Sequence, residues 1–282
     1  MKNLKITIMA LLLLIVAAGC KPSRQQQVTE ALQKGIAIAA EGFKANAAAC
    51  EGMNRFPRTY QADTLVTVDA YDWTSGFFAG DLWLAYELTG DEALAEAARK
   101  YTAQLYEIKD FTGHHDLGFM IYCSYGRQWA NFQEPEVLQV IIDAANSLCT
   151  RFNPTIGQIR SWDFGEWNYP VIVDNLMNLE MLFFASKMTG DSKYYDVAVK
   201  HADTTLENHF RPDGSSYHVV SYNNDGSIES KGTFQGFAHE SSWARGQAWG
   251  LYGYVMMYRE TKDPSYLNQA RNIASFLINH PN

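Results

Sequence analysis

The sequence predicts an all-α fold, a toroid of helical hairpins, and three observations support this prediction. A Thr-x-Asp turn recurs three times along the chain and ends at Asp91, Asp191 and Asp263. The segment before each turn is highly apolar, as expected for a helix that is buried on nearly all sides. The segment after each turn is rich in small residues. Such hairpins can form a ring or an open solenoid, and the apolar first helices favour the ring.

Each copy of the turn contains residues that end one helix and begin the next. Gly90 and Gly190 can adopt the left-handed conformation that closes a helix. The aspartate that follows can cap the next helix, and Pro264 suits the first turn of the last one. The turns therefore predict a series of hairpins along the chain.

The N-terminus has the properties of a secretion signal. Lys2 and Lys5 precede an apolar run that is too short for a stable membrane span. Small residues then precede Cys20, as at the processing site of a bacterial lipoprotein, so we expect Cys20 to be lipidated. An ordinary signal peptide with a chance cysteine is the alternative.

These features divide the chain into three parts. Residues 1–19 are predicted to be the lipoprotein signal peptide, residues 20–30 a polar tether, and residues 31–282 the helical toroid. Because lysine rather than aspartate follows Cys20, we expect a lipoprotein in the outer membrane, or one facing the periplasm, of a Gram-negative bacterium. The lipid at Cys20 is the only membrane attachment expected.

Two further helices and a hairpin complete the predicted elements. "VTEALQKGIAIAAEGFKA" spaces its apolar residues as an amphipathic helix does, and "EPEVLQVIIDAANSLCTRF" predicts a helix entered at Pro135. Near Asp213-Gly214 and Asp225-Gly226, β-branched and aromatic residues alternate, which indicates a short β-hairpin on the rim.

Composition narrows the class of ligand. The formal net charge of −8 argues against a nucleic-acid partner. Abundant Trp and Tyr suit the flat faces of sugar rings, although most aromatic residues fill cores. Cys50, Cys123 and Cys149 lack the spacing of a disulfide framework or a zinc site, so we expect them to be small buried residues.

Asp174 is the most unusual polar residue, because it stands between Val171-Ile172-Val173 and a long apolar run. An ionised carboxylate in such surroundings either finds partners or has a raised pKa. A helix N-cap is the alternative. The two interpretations are compatible, since an N-cap at the mouth of a ring of helices also faces its central funnel.

Other polar residues have similarly open interpretations. Asp116 could cap a helix, and His114 and His115 could ligate zinc, although adjacent side chains point apart and no second pair stands at helical spacing. Trp249 could be a core residue, and Arg245 could belong to an ion pair.

Five segments, taken together and in this order, resemble glycoside hydrolase family 88, the unsaturated glucuronyl hydrolases. They are "WTSGFFAGDLW", "HDLGFMIYCSYG", "VIVDNLMNLEML", "DGSSYHVVSYN" and "TFQGFAHESSWARGQAWGLYGY". The resemblance extends from about residue 30 to the last residue. It implies an (α/α)6 toroid, which agrees with the hairpins, and it implies neither a metal nor an organic cofactor.

The resemblance also implies roles for individual residues. Asp174 corresponds to the general acid and base, and Asp116 to a second essential carboxylate. The implied sugar-binding residues, which comprise two stacking aromatics and three polar ligands of the uronic acid, are Trp73, Trp249, His218, Gln235 and Arg245.

The implied substrate is an oligosaccharide that a polysaccharide lyase has left with a terminal 4,5-unsaturated glucuronic acid, of the glycosaminoglycan type. The reaction protonates C4 and adds water at C5, and the resulting hemiketal opens. Asp174 must then be protonated, although a free aspartate has a pKa of about 3.9. Its apolar surroundings and Asp116 would raise that pKa, and Asn175 and Asn178 are expected to orient the side chain.

Two alternatives remain. An unsaturated rhamnogalacturonyl hydrolase, acting on pectin fragments, shares the fold and chemistry, but the Asp116–Asp174 pair and "SSWARGQAWG" favour the glucuronyl family. A glycan-binding lipoprotein without catalysis would not need both carboxylates. Because the chain ends before a complete ring, we expect a toroid that is incomplete at its C-terminus, with exposed apolar faces.

Overall fold

The computed structural model describes residues 22–280, so the signal segment and Cys20 lie outside the described residues. Within this range the fold is mostly helical. The α-helices are α1 Arg24–Ala49, α2 Ser75–Thr89, α3 Glu92–Ala103, α4 Tyr125–Phe132, α5 Pro135–Cys149, α6 Leu179–Thr189, α7 Ser192–Asn208, α8 Ala244–Thr261 and α9 Pro264–Asn279. Shorter helical turns are the 3₁₀ turns Tyr106–Asp110 and Val173–Asn178 and the π-helix Gly118–Tyr122.

Small antiparallel sheets lie between the helices, and the all-α prediction missed most of them. They comprise β1 Phe56–Gln61 with β2 Thr64–Val68, β3 Phe152–Asn153 with β4 Gln158–Ile159, and a sheet ordered β5 Pro170–Ile172, β6 Val219–Tyr222, β7 Ile228–Gly232. The predicted rim hairpin is confirmed as β6–β7, whose turn contains Asp225 and Gly226, with φ of +88° at Gly226. Strand β5, immediately before the Asp174 segment, pairs with β6 of this hairpin.

The three predicted turns are confirmed. Gly90 and Gly190 have φ of +72°, and Lys262 has φ of +64°, so all three end their helices in the left-handed region. The aspartate that follows each accepts a hydrogen bond from the backbone N–H two residues later, at 3.0, 2.9 and 2.8 Å.

A threonine in each turn adds a contact that the sequence did not reveal. The Oγ1 of Thr89 accepts from the backbone N–H of Asp91 at 3.2 Å and donates to the carbonyl of Ala85 at 2.7 Å. Thr189 and Thr261 make the equivalent contacts. The threonine therefore joins the end of one helix to the cap of the next.

The hairpins arrange their first helices in an inner layer. Each of α2–α3, α6–α7 and α8–α9 packs as an antiparallel pair, and α2 contacts the π-helix, which contacts α6, which contacts α8. The starts of α2 and α8 face the same cleft, where the Arg245 guanidinium lies 5.3 Å from the Trp73 ring. The inner helices thus curve around a site, as the toroid prediction required.

The N-terminal boundary differs from the prediction. Helix α1 begins at Arg24, because the Ser23 hydroxyl accepts from the Gln26 N–H at 3.2 Å and the Gln26 side chain accepts from the Ser23 N–H at 2.8 Å. This capping box extends the helix through residues 24–30, which were assigned to a polar tether. The segment is exposed, but it is helical.

Exposed apolar side chains occur on two of the inner helices. Leu84 and Leu88 on α2 are 36% and 62% exposed, and Tyr252 and Val255 on α8 are 45% and 49% exposed. Among residues 22–280, no helix combines the length and apolar character needed to cross a bilayer.

Candidate active site

A cleft of about 270 Å³ opens at the ends of the inner helices. It contains both carboxylates, several aromatic rings and one guanidinium. Its lining residues are Tyr71, Asp72, Trp73, His114, His115, Asp116, Phe119, Ser161, Trp162, Phe164, Ile172, Asp174, Phe234, Gln235 and Arg245. Five of the seven predicted site residues therefore line one cavity.

Close backbone packing brings the two carboxylate segments together. The π-helix begins at Gly118, two residues after Asp116, and packs directly on the 3₁₀ turn that contains Asp174. A Cβ at Gly118 would lie 2.6 Å from the Asn178 Cα, so only glycine fits there. The Asn178 Oδ1 also accepts from the Phe119 N–H at 3.3 Å. This contact fixes the two segments relative to each other.

Asp174 is almost fully buried at the base of the cleft, with 7% exposure. Burial, and secondarily the negative charge of Asp116, raise its pKa to about 7. Asp174 lies in the first turn of the 3₁₀ segment and is not its N-cap, which is Ile172. The expectation that Asn175 and Asn178 orient it is wrong, because the Asn175 Nδ2 donates to the Ile159 carbonyl at 2.8 Å and Asn178 holds the π-helix. Asp174 is therefore partly protonated near neutral pH, where an ordinary aspartate is fully ionised.

The pKa of Asp116 is shifted in the opposite direction to the pKa of Asp174. Burial alone would raise its pKa, but His115, His114 and Arg151 outweigh burial and lower it. The His115 Nε2 lies 3.2 Å from one carboxylate oxygen and the His114 Nδ1 lies 3.2 Å from the other. The Asp116 carboxylate thus lies between two histidines and does not cap the π-helix, whose N-cap is Leu117. The described part of the chain contains no group of three or more His, Cys, Asp or Glu arranged to hold a metal.

His218 and Trp249 lie behind Asp174 rather than in the lining of the cleft. The His218 Nδ1 accepts from the backbone N–H groups of Phe234 and Gln235 at 3.1 and 3.3 Å, so its proton is on Nε2. That Nε2 lies 3.7 Å from the Asp174 Oδ2. Burial, with the charge of Arg245, lowers the pKa of His218 to about 3, so the ring is neutral.

The Trp249 indole N–H also lies beside the Asp174 carboxyl and opposes the rise of its pKa. Its nitrogen, the His218 Nε2 and the Asp174 Oδ2 are all buried without a hydrogen-bond partner. Two N–H donors therefore face one carboxyl group.

Arg245 is held above the cleft by aromatic rings. Its guanidinium lies 4.4 Å from the Trp243 ring and 5.3 Å from the Trp73 ring, and its Nη2 donates to the Gln235 Oε1 at 3.2 Å. The described residues offer it no carboxylate partner, so the ion-pair interpretation is not observed. An exposed, ordered guanidinium beside Trp73 suits a ligand carboxylate.

Sequence reasoning missed an aromatic wall of the cleft that contains Trp162, Phe164 and Phe234. The Trp162 ring stacks on Phe164 at 5.2 Å, contacts Phe234 at 5.4 Å and meets Trp167 edge-on at 5.7 Å. Phe164 and Phe234 remain about half exposed. The sequence feature that could have indicated this wall is the aromatic-rich segment "SWDFGEWN". The wall gives the cleft a second apolar side.

A larger cavity, of about 540 Å³, lies beyond the segment 160–163 and is lined by Arg151, Arg160 and Asp163 among others. Its single carboxylate, Asp163, pairs with both arginines, at 2.9 and 3.0 Å. The smaller cleft, which contains Asp116 and Asp174, is therefore the candidate active site.

The predicted cysteines have the expected inert character. Cys50 is buried, and Cys123 and Cys149 are partly buried, all as free thiols. Burial raises the pKa of Cys123 to about 12 and of Cys149 to about 11. These thiols are therefore poor nucleophiles.

Comparison with known proteins agrees with the geometry. Residues 45–279 match the model of Glycosyl Hydrolase Family 88. An unsaturated glucuronyl hydrolase of Formosa agariphila is 46% identical over 239 residues, which are 82% of this chain and 59% of that protein. This chain therefore spans less than two thirds of that relative's length.

Solved structures of unsaturated glucuronyl hydrolases are also similar to this chain. An unsaturated glucuronyl hydrolase specific for heparin superposes with a TM-score of 0.85 at 46% identity, covering 89% of this chain and 68% of that one. A mutant unsaturated glucuronyl hydrolase of Streptococcus agalactiae, complexed with dGlcA-GalNAc6S, gives a TM-score of 0.72 at 30% identity, covering 87% of this chain and 62% of that one.

Proposed function

Because the chain belongs to glycoside hydrolase family 88, we propose that it releases the terminal 4,5-unsaturated glucuronic acid from lyase-generated oligosaccharides of the glycosaminoglycan type. The observation that supports this most directly is the burial of Asp174 at the base of a cleft, which raises its pKa. An enol ether needs a proton donor at C4, and an acid with a pKa of about 7 supplies one near neutral pH.

The first step transfers the Asp174 proton to C4, which leaves positive charge shared between C5 and the ring oxygen. Asp116, held as an anion beside Asp174, favours that charge electrostatically. The Asp174 Oδ2 is buried and lies 3.7 Å from the His218 Nε2, so we assign proton transfer to the other oxygen, Oδ1. The N–H groups of His218 and Trp249 then stabilise the carboxylate that forms.

In the second step the Asp174 carboxylate removes a proton from a water molecule, and the oxygen of that water bonds to C5. The product is a hemiketal at C5. Its ring opens to a ketone at C5 and a hemiacetal at C1, and the hemiacetal breaks down to an aldehyde and releases the remaining sugar as an alcohol. One residue therefore acts first as acid and then as base, and the carboxylate spacing of ordinary glycosidases does not apply.

Binding is assigned to the other face of the cleft. Arg245, with Gln235 as its partner, suits the carboxylate on C5 of the unsaturated sugar, and Trp73 provides an aromatic face beside it. The partner we propose is therefore an unsaturated uronate oligosaccharide.

The function is tested by mixing the protein with unsaturated disaccharides made by chondroitin, heparin and pectin lyases. Loss of the ultraviolet absorbance of the C4=C5 bond with a glucuronyl disaccharide is the expected result. Loss only with the pectin-derived substrate would indicate the rhamnogalacturonyl alternative. Binding with unchanged absorbance would indicate a glycan-binding protein, and either outcome contradicts the proposal.

We also propose that Cys20 is lipidated and anchors the protein in the outer membrane, or facing the periplasm, of a Gram-negative cell. The support is the signal-like segment before Cys20. In a Gram-negative host, the full chain should fractionate with membranes, and its N-terminal peptide should have the mass of a lipid-modified cysteine. Cys20→Ser should abolish both properties, and an unmodified N-terminus in the starting protein would contradict the proposal.

A further inference from the structure

A buried hydrogen-bonded chain connects Ser161 to Asp116 through His115. Ser161 is fully buried, and His115 is 1% exposed. The Ser161 Oγ accepts from the Ile172 N–H at 2.9 Å and lies 3.4 Å from the His115 Nδ1. The His115 Nε2 in turn lies 3.2 Å from the Asp116 Oδ1.

The chemistry of these groups fixes the direction of each hydrogen bond. An ionised carboxylate only accepts, so the His115 proton is on Nε2 and points at Asp116. The Nδ1 is then an acceptor. The Ser161 oxygen already accepts from Ile172, which leaves its hydroxyl hydrogen to donate to Nδ1. The serine therefore selects the imidazole tautomer that supports the anion.

The same serine joins the two segments that contain the carboxylates. Its carbonyl accepts from the His115 N–H at 3.0 Å, its N–H donates to the Pro170 carbonyl at 2.8 Å, and Ile172 lies two residues before Asp174. A change at Ser161 would thus reach both Asp116 and the strand that leads to Asp174.

From this arrangement we propose that Ser161 and His115 are positioning residues, which keep Asp116 ionised and correctly oriented while Asp174 holds its proton. The proposal rests on the proposed function. The order Ser–His–Asp also occurs in nucleophilic triads, but Ser161 is fully buried and its oxygen already accepts the Ile172 N–H.

Other charged groups face the carboxylate pair. His114 contacts the second oxygen of Asp116, and Arg151 acts from the segment after α5. Arg245, at the start of α8, acts on Asp174. These charged groups are unchanged in variants of Ser161 and His115. A shift of the pH profile in those variants would therefore report on the hydrogen-bonded chain from Ser161 to Asp116.

The test is the pH dependence of kcat/KM in the ultraviolet assay. The acid limb should report protonation of Asp116, and the alkaline limb ionisation of Asp174. Ser161→Ala should move the acid limb upward by about one pH unit, because Asp116 loses support for its charge. Ser221→Ala, a fully buried serine that hydrogen bonds Glu229 instead, is the matched control and should leave both limbs in place. A rate lowered equally at every pH by Ser161→Ala would overturn the proposal.

Variants of His115 provide a second test, which is decisive even if Ser161→Ala does not fold. His115→Gln can place an amide N–H near the position of Nε2 and should keep the acid limb within a few tenths of a pH unit of the original. His115→Met has no donor and should shift that limb upward. Identical limbs in the two variants would contradict the proposal.

A third measurement needs no variant. Nitrogen-15 chemical shifts of the imidazole rings in the unmodified protein should show His115 as the Nε2–H tautomer at neutral pH, and the Nδ1–H tautomer would overturn the inference. If the unmodified protein consumes no C4=C5 bond at any pH, the proposed function is wrong. The measured tautomer of His115 still decides whether the hydrogen-bonded chain from Ser161 to Asp116 exists.

Discussion

At the residue scale, Asp174 connects the chemistry of the site to the stability of the protein. Its pKa in the folded protein, about 7, exceeds the value of about 3.9 expected in the unfolded chain. Between these values the folded protein holds a proton that the unfolded chain has released. The free energy of unfolding therefore falls as pH rises through this window. A buried acid that is suited to proton transfer is also a destabilising residue above neutral pH.

Asp174→Asn should therefore separate activity from stability. The amide cannot donate its hydrogen to C4, so turnover should fall by at least about a thousandfold. The same change removes the penalty of ionising a buried group, so the variant should be more stable than the unmodified protein at pH 8, by up to about 4 kcal/mol. Urea unfolding at pH 5 and pH 8 measures this difference. An active variant would remove Asp174 from the mechanism, and equal stability at pH 8 would contradict the raised pKa.

Arg245 should contribute to binding more than to chemistry. Arg245→Ala removes a guanidinium held between two tryptophan rings and should raise KM by about 10- to 100-fold, with a smaller change in kcat. Arg245→Lys keeps the charge without the planar stacking and should give an intermediate KM. Steady-state kinetics with an unsaturated disaccharide provides the measurement. An unchanged KM in the alanine variant would refute a role in binding the substrate carboxylate.

At the scale of elements, the site depends on how closely the π-helix approaches the 3₁₀ turn. Gly118→Ala places a methyl group 2.6 Å from the Asn178 Cα, so one segment must move. We expect a loss of stability of about 1–3 kcal/mol and a loss of activity larger than that of most glycine replacements. Thermal unfolding and the ultraviolet assay measure the two effects. Gly42→Ala, in α1 with open space around it, is the control and should stabilise slightly with unchanged activity.

The hairpin turns give a second prediction at this scale. Lys262 adopts φ of +64° at a position where the other two turns have glycine. A side chain in this conformation is strained by about 1 kcal/mol, so Lys262→Gly should stabilise the protein by a similar amount. Lys262→Ala keeps the Cβ and should show no gain. Urea unfolding of the two variants at pH 7 compares them, and equal stability would show that the turn relaxes the strain.

At the scale of the whole molecule, the sequence predicted the elements whose causes are local. The caps at Asp91, Asp191 and Asp263 each depend on two or three adjacent residues, and so do the hairpin turns that contain them. Contacts between distant segments were not predictable in the same way. Nothing in "SWDFGEWN" indicates that Ser161 reaches a histidine 46 residues earlier. The resemblance named Asp116 and Asp174, but their opposite pKa shifts depend on burial and on neighbours that only the folded chain assembles.

Buried histidines give the last prediction, which concerns the stability of the molecule in acid. Burial lowers the pKa of His115, His201, His209 and His218 below that of a free histidine. For such groups the unfolded chain gains protons below pH 6.5, the folded protein gains them only at lower pH, and stability is lost as pH falls. Asp174, Asp81 and His114, whose pKa values are raised in the folded protein, have the opposite effect, but they are three groups against four. The protein should therefore lose stability between pH 6.5 and pH 4.

His209 isolates this effect, because it lies outside the site. Its pKa is lowered to about 4, and its Nε2 contacts the Val171 carbonyl at 3.1 Å. His209→Gln can keep a donor for that carbonyl but cannot be protonated, so it should recover up to about 3 kcal/mol of the stability lost by pH 4. Urea midpoints at pH 7.5 and pH 4.5 test this, with His239→Gln on the exposed rim as the control. An equal loss in the His209 variant and the control would show that acid unfolding begins at other groups.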